Sequence, residues 1–328
     1  MRFGLALPQY DYSVQSERPL RFATVVEHAR RAADAGFESV WLSDHLYLDI
    51  GKYGGPPDRE ACFDPIVTLA ALARVVPDVR LGTLVFCEAL RPAAVLAKAL
   101  ATLDRVSAGR LDVGLGAGWY EPEYESIGMS MPTPPVRLAR LAEAVDVVKG
   151  VLEDGAFSYD GEYHRAADAS SLPPPRQQPR PRVFVGGKGD RLLRLVAQHA
   201  DGWNTCWAWT FDAYRERLSV LERECARIDR DPAGVWRTLG LYALCGEDER
   251  DLARRFELMR ASSPPGVLDG VDLAEFRAGK FVGTVDELRD QVGEWEALGV
   301  DTLVLGVGVV PFHVTSIDDV EMFASLRA

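Results

Sequence analysis

Hydrophobic and polar positions along the chain follow two periods that alternate. Short apolar runs bounded by Gly, Pro, Asp or Asn predict buried strands, and the amphipathic segments between them predict helices. The runs are nearly continuous, which is typical of parallel strands that are buried on both faces. The predicted strands centre near Phe3, Val40, Leu81, Val113, Val183, Trp203, Leu241 and Leu303.

Eight alternating strand and helix units within 328 residues predict a TIM (β/α)8 barrel rather than a doubly wound sheet. We expect a single domain over residues 1–328, because the Pro-rich segment 171–182 is short and leads directly into a strand. Segment 262–283 shows no clear period. It is predicted to be an insertion after the seventh strand, at the C-terminal face of the barrel.

The composition narrows the classes of function. A net charge of -12 argues against broad binding of nucleic acid or acidic membranes, so any phosphate of a ligand must be held locally. The five cysteines show no CxxC spacing, and no apolar run has the length of a membrane span or the form of a signal peptide. These features predict reduced thiols and a cytoplasmic protein. The absence of clustered His and of an HExxH motif argues against a metal site.

The run "VWLSDHLYLD" ends the second predicted strand with Asp44 and His45. Asp44 alone is typical of a turn cap, and His45 alone of a neutral surface histidine. Active sites of TIM barrels, however, lie where the strands end at their carboxyl side. The position therefore favours Asp44 and His45 as site residues.

Two glycine-rich turns follow later strands. In "LGAGWYEPEYESIG", Gly116 and Gly118 allow the backbone to approach a planar ligand on which Trp119 stacks, or else they form a tight turn with Trp119 in the core. In "VFVGGKGDRLLRL", a glycine turn enters a helix whose first N–H groups and dipole form an anion site near Lys188 and Arg191. An ordinary loop with solvated cations is the alternative for this second turn.

Six segments in register resemble the bacterial luciferase-like superfamily, and within it the branch that depends on coenzyme F420. The resemblance covers roughly residues 1–310. The segments are "FGLALPQ", "WLSDHL", "VRLGTLV", "RLDVGLGAGWYEPEYESIG", "VFVGGKGDRLLRLVAQHADGWN" and "GTVDELRDQVGEWEALGVDTLVL". This resemblance implies a TIM barrel with insertions, commonly assembled as a homodimer, that binds FMN or the deazaflavin F420 at its mouth.

The resemblance also implies roles for individual residues. It places Asp44 and His45 beside the ring, a non-prolyl cis peptide at Leu84–Val85 against the ring, and the phosphate in the turn after strand five. Phe86 is expected to line the pocket together with Trp119. With the two glycine turns, the predicted cofactor-binding residues are Asp44, Leu84, Val85, Gly116, Ala117, Gly118, Trp119, Gly186, Gly187, Lys188, Gly189 and Arg191.

We expect an oxidoreductase that passes a hydride between F420 and a small organic substrate. His45 is the expected general acid or base, and Asp44 is expected to orient its ring or to hydrogen-bond the cofactor. Sugar-phosphate dehydrogenases of this branch carry a carboxylate directly after the fourth-strand GxG. Here Trp119 follows Gly118, and the nearest carboxylates are Glu121 and Glu123. An apolar substrate, or reduction of an enone or imine, is therefore favoured over a sugar.

Two alternatives stay open from the sequence. The first is an FMN-dependent monooxygenase that uses oxygen and reduced flavin from a partner reductase. The second is a cofactor-binding protein without turnover, against which an intact proton donor at His45 counts.

Overall fold

Eight parallel strands close into a barrel in the computed structural model, which describes residues 1–15, 17–153 and 155–327. Each predicted strand centre lies within one of them. The strands are β1 (Arg2–Ala6), β2 (Ser39–Leu42), β3 (Arg80–Thr83), β4 (Leu111–Gly116), β5 (Val183–Gly186), β6 (Gly202–Trp207), β7 (Trp236–Gly246) and β8 (Thr302–Gly306). The TIM barrel predicted from the sequence is confirmed.

The register of two strand pairs closes the barrel. β8 pairs with β1, and β4 pairs with β5 through Val113 opposite Val183 and Leu115 opposite Val185. Two further short strands join this sheet outside the ring: Phe86–Cys87 pairs with β4, and Phe281–Thr284 pairs with β7. All these pairings are parallel, so the carboxyl ends of the eight strands meet at one mouth.

The helices surround the barrel. The longer ones are α1 (Phe22–Asp34), α2 (Pro65–Val75), α3 (Ala93–Val106), α4 (Pro134–Leu152), α5 (Asp190–His199), α6 (Phe211–Ala226), α7 (Glu249–Ser262) and α8 (Val285–Ala297). Short helices span Glu121–Ser126, Leu273–Arg277 and Ile317–Met322. Side-chain caps begin several of them; at Thr284 the hydroxyl and the Glu287 carboxylate form a capping box. None of the helices in the described residues is both long and apolar enough to cross a membrane.

Three insertions contain structure of their own. Tyr47–Leu48 pairs antiparallel with Glu60–Ala61 after β2, and Phe157–Asp160 pairs with Arg165–Ala169 after α4. Segment 262–283, which shows no hydrophobic period in the sequence, follows α7. It contains the short helix Leu273–Arg277 and leads into the strand Phe281–Thr284, which extends the sheet beside β7.

One indole ring fills the barrel interior beside two glycines. Trp41 of β2 is fully buried, and its Nε1 donates to Ser39 Oγ at 2.9 Å. A Cβ added at Gly82 would lie 2.2 Å from Trp41 Cε3, and one at Gly4 would lie 2.3 Å from Nε1. β1 and β3, which flank β2, therefore have glycines at the two positions where a side chain would overlap the indole ring.

Gly82→Ala is expected to destabilise the fold by about 1–3 kcal/mol, because the added methyl group overpacks the barrel interior. The matched control is Gly293→Ala on α8, where a Cβ would meet nothing within 4 Å; it should stabilise by about 0.5–1 kcal/mol. Chemical denaturation of both variants measures the difference. Equal stabilities would contradict this account of the interior.

Candidate active site

A cavity of about 440 Å³ opens at the mouth of the barrel. Its walls come from the ends of the strands and from the loops that follow them, which is where TIM barrels hold their active sites. The predicted site residues that line it are Asp44, His45, Leu84, Val85, Gly116, Gly118, Trp119, Gly186, Gly187 and Lys188.

The floor of the cavity is formed by the Leu84–Val85 peptide, which is cis as the resemblance implies. The Val85 side chain packs between the carboxyl ends of β4 and β5. A Cβ at Gly116 would lie 2.5 Å from Val85 Cγ2, and one at Gly186 would lie 3.0 Å from Val85 Cγ1. These glycines make room for Val85, and Gly116 also lines the cavity, so its approach to a planar ligand stays a prediction.

Asp44 is held in a buried ion pair, and none of its hydrogen bonds within the described residues goes to the imidazole. Both of its carboxylate oxygens accept hydrogen bonds from Arg91, at 2.7 and 2.9 Å, and Oδ2 also accepts one from the Cys87 N–H at 2.9 Å. Burial raises the pKa of Asp44, while Arg91 and the Cys87 N–H oppose that rise. Asp44 thus ties the end of β2 to the segment that follows the floor, and it does not orient His45.

Glu123 orients the imidazole instead. Its Oε2 lies 2.8 Å from His45 Nδ1, and its Oε1 accepts the N–H of Leu46 at 2.5 Å. The carboxylate is buried, and Nε2 of His45 makes no hydrogen bond to the described residues. Because an ionised carboxylate only accepts hydrogen bonds, Nδ1 carries the proton in the neutral ring and Nε2 keeps a free lone pair.

Aromatic rings enclose the imidazole. The centroid of the His45 ring lies 5.7 Å from that of Trp119 and 6.4 Å from that of Tyr10. Trp119 is 44% exposed, so it belongs to the cavity wall and not to the core. The Tyr10 hydroxyl lies 2.5 Å from Ser43 Oγ, and burial raises its pKa well above the ordinary value. Tyr10 therefore stays a neutral hydroxyl.

The turn after β5 leaves space for an anion. The Gly187 carbonyl accepts the Trp203 Nε1–H at 2.7 Å, which fixes the turn, and a Cβ at Gly189 would meet nothing within 4 Å. Gly189 precedes α5, whose first N–H groups have no intrahelical acceptors. Lys188 is exposed beside them, and Asp190 in the first turn is paired with Arg217 at 2.7 Å.

Several predicted residues do not line the cavity. Phe86 is fully buried in the hydrophobic core, so its expected place in the pocket wall is wrong. Ala117, Gly189 and Arg191 lie on the two turns but outside the lining, and Arg191 is exposed. His313, which follows the last strand, is buried and accepts the Val309 N–H on Nδ1 at 3.4 Å.

A closed parallel barrel with this mouth cavity defines the class of the protein, a TIM-barrel protein with a cavity at the carboxyl ends of its strands. The sequence profile of the luciferase-like monooxygenases matches residues 1–302. The chain belongs to this family.

Three similar proteins illustrate the range of the family. The F420-dependent hydroxymycolic acid dehydrogenase of Mycobacterium tuberculosis is 28% identical over 91% of this chain and 81% of its own length. The 5,10-methylenetetrahydromethanopterin reductase of Archaeoglobus fulgidus is 26% identical over 93% of this chain and 96% of its own. The crystal structure of monooxygenase RslO1 from Streptomyces bottropensis is 25% identical, with a TM-score of 0.75 over 99% of this chain and 98% of its own.

Gly116→Ala is expected to destabilise the protein by about 1–3 kcal/mol, because the new methyl group overlaps Val85. Within 4 Å its Cβ would meet only the Val85 side chain, so Val85→Ala should remove most of that cost. A double-mutant cycle by chemical denaturation measures the coupling. Additive effects of the two substitutions would contradict the packing of the Val85 side chain against Gly116.

Proposed function

We propose that this protein is an F420-dependent oxidoreductase that transfers a hydride between the deazaflavin and a small organic substrate in the mouth cavity. One observation carries the proposal: the His45 and Glu123 pair stands beside the Val85 floor, in the same cavity as the glycine turn after β5. The F420-dependent hydroxymycolic acid dehydrogenase among the relatives supports it.

The residues of the cavity fit such a cofactor. The floor is apolar and narrow at Val85, which suits the face of a planar ring, and the open backbone at Gly189 next to the exposed Lys188 suits a phosphate. Bound F420 would supply the carbon that takes up or releases the hydride. Gly186, Gly187, Lys188 and Gly189 would hold the phosphate.

The task left to the protein is to position the substrate and to move a proton. His45 Nε2 makes no hydrogen bond to the described residues, so its lone pair is free to take a proton from a substrate and later to return it. Glu123 fixes Nδ1 and stabilises the imidazolium that forms when Nε2 is protonated. Aromatic walls at Trp119, Trp207 and Phe312 favour a flat, apolar substrate body.

An FMN-dependent monooxygenase is the second candidate, because the phosphate turn and the floor suit FMN as well and the similar protein RslO1 is a monooxygenase. In that case a partner reductase is predicted. Homodimeric assembly and a cytoplasmic location also stay predictions.

Titration of the purified protein with F420 and with FMN, followed by cofactor fluorescence, tests which cofactor is bound. We expect tight binding of F420 and weaker binding of FMN. Lys188→Gln should weaken binding through loss of a phosphate contact, whereas Lys98→Gln on α3, which lies outside the cavity, should not. Binding of FMN alone would overturn the choice of F420.

His45→Ala is expected to lower kcat by about 100-fold or more while cofactor affinity is kept, because the proton-transfer group is lost. Glu123→Gln should lower kcat by about 10-fold or more through misorientation of the ring. Glu125→Gln, an exposed position on the same short helix, is the control. Steady-state kinetics with a substrate of the enzyme measures these effects, and unchanged turnover in His45→Ala would remove the role assigned to it.

A further inference from the structure

The acidic and basic side chains that line the cavity differ in whether they have charged or hydrogen-bonding partners. Of its two carboxylates, Asp44 forms an ion pair with Arg91, and Glu123 is hydrogen-bonded to His45, whose neutral ring does not cancel its charge. Its two lysines, Lys52 and Lys188, make no ion pair in the part of the chain that the structure describes. In a chain with a net charge of -12, the cavity lining thus carries more positive than negative charge once the Asp44 and Arg91 pair is set aside.

Lys52 is held by a well-defined turn. It lies in the 3-10 turn Gly51–Tyr53, where the Tyr53 N–H donates to the Ile50 carbonyl at 2.9 Å. Ile50 is buried, and Gly55 of the same loop packs toward Val267 of the insertion after α7. The backbone that carries Lys52 is therefore fixed on both sides.

The ammonium group of Lys52 lies over the indole of Trp119, with Nζ 3.5 Å from the ring centroid. The His45 ring packs against the same indole, at 5.7 Å between ring centroids. Trp119 thus contacts both the cation and the group to which we assign proton transfer. A molecule that reacts at His45 needs only the length of a small organic acid to reach Lys52.

Among the described residues, no side chain forms an ion pair with either lysine. Cys206 lines the same cavity and interacts electrostatically with both lysines. Burial raises the pKa of its thiol to about 12, so the thiol stays neutral. Asp49, close in sequence to Lys52, already accepts the Gly51 N–H at 2.9 Å and the Tyr120 hydroxyl. Loss of water around Lys52 lowers its pKa, and repulsion from Lys188 lowers it further. A bound anion would relieve that repulsion.

We propose that Lys52 is a specificity-determining residue that binds the carboxylate of an anionic substrate whose flat apolar body lies along Trp119 toward His45. The inference rests on the proposed function, because it takes Lys188 as the cation of the cofactor phosphate. The group that Lys52 binds is an anionic oxygen group. Two molecules carry such a group: the substrate, in its carboxylate, and the cofactor, in its anionic tail. The experiment below separates these two sources.

The test compares trans-cinnamate with its neutral amide, trans-cinnamamide, on cofactor-loaded protein by isothermal titration calorimetry. We expect the native protein to prefer the carboxylate by about fivefold, as one partly exposed ion pair provides. Lys52→Gln should abolish the preference and Lys52→Arg should restore it, whereas Lys98→Gln should leave it unchanged. Added salt should reduce the preference.

Two outcomes would overturn the inference. They are an equal affinity of the native protein for the two probes and a preference that survives in Lys52→Gln. In the second case, a loss of cofactor affinity in the same variant would assign Lys52 to the cofactor. Failure of the proposed function is seen separately, as absence of F420 binding in the cofactor titration. The probe titration then still tests Lys52 on the protein alone.

Discussion

Pairing of β4 with β5 closes the barrel, and the cavity floor depends on it. The pairs Val113 with Val183 and Leu115 with Val185 bring the ends of two strands that are about 70 residues apart in sequence side by side. Gly116 and Gly186 end these strands, and Val85 occupies the space between them. The turn after β5 and the turn that leads to Trp119 start from the same two strand ends, so closure sets the distance between these two turns and Val85.

The site combines two kinds of electrostatic environment. Below the mouth, the buried Asp44 is neutralised by Arg91 and serves to join loops, as expected for a charge that burial would otherwise make costly. At the mouth, Lys52 and Lys188 are exposed and form no ion pair with the residues that the structure describes. In the same cavity, Glu123 and His45 form a pair in which one member fixes the other. Our proposals therefore give proton transfer and anion binding to charged groups other than the structural pair of Asp44 and Arg91.

The eight strands were predictable because each is a continuous apolar run. The place of Asp44 and His45 at the mouth cavity was predictable because a strand end has a defined place in a barrel. The partners of these residues were not. Glu123 lies 78 residues from His45 and is brought to it by a six-residue helix without a hydrophobic period. Lys52 lies in a loop without a motif, and Phe86 follows the cavity floor directly yet points into the core. Which way a side chain points at a bend is a property of the tertiary structure.

The most direct test of the account is the tautomer of His45, measured by ¹⁵N NMR at mildly alkaline pH, where imidazole is neutral. Assignment uses the spectrum of His45→Ala. We predict that the proton resides on Nδ1 in the native protein, held by the Glu123 carboxylate, and that Glu123→Gln shifts the balance toward the Nε2–H form. A native protein with its proton on Nε2 would contradict the site that we describe.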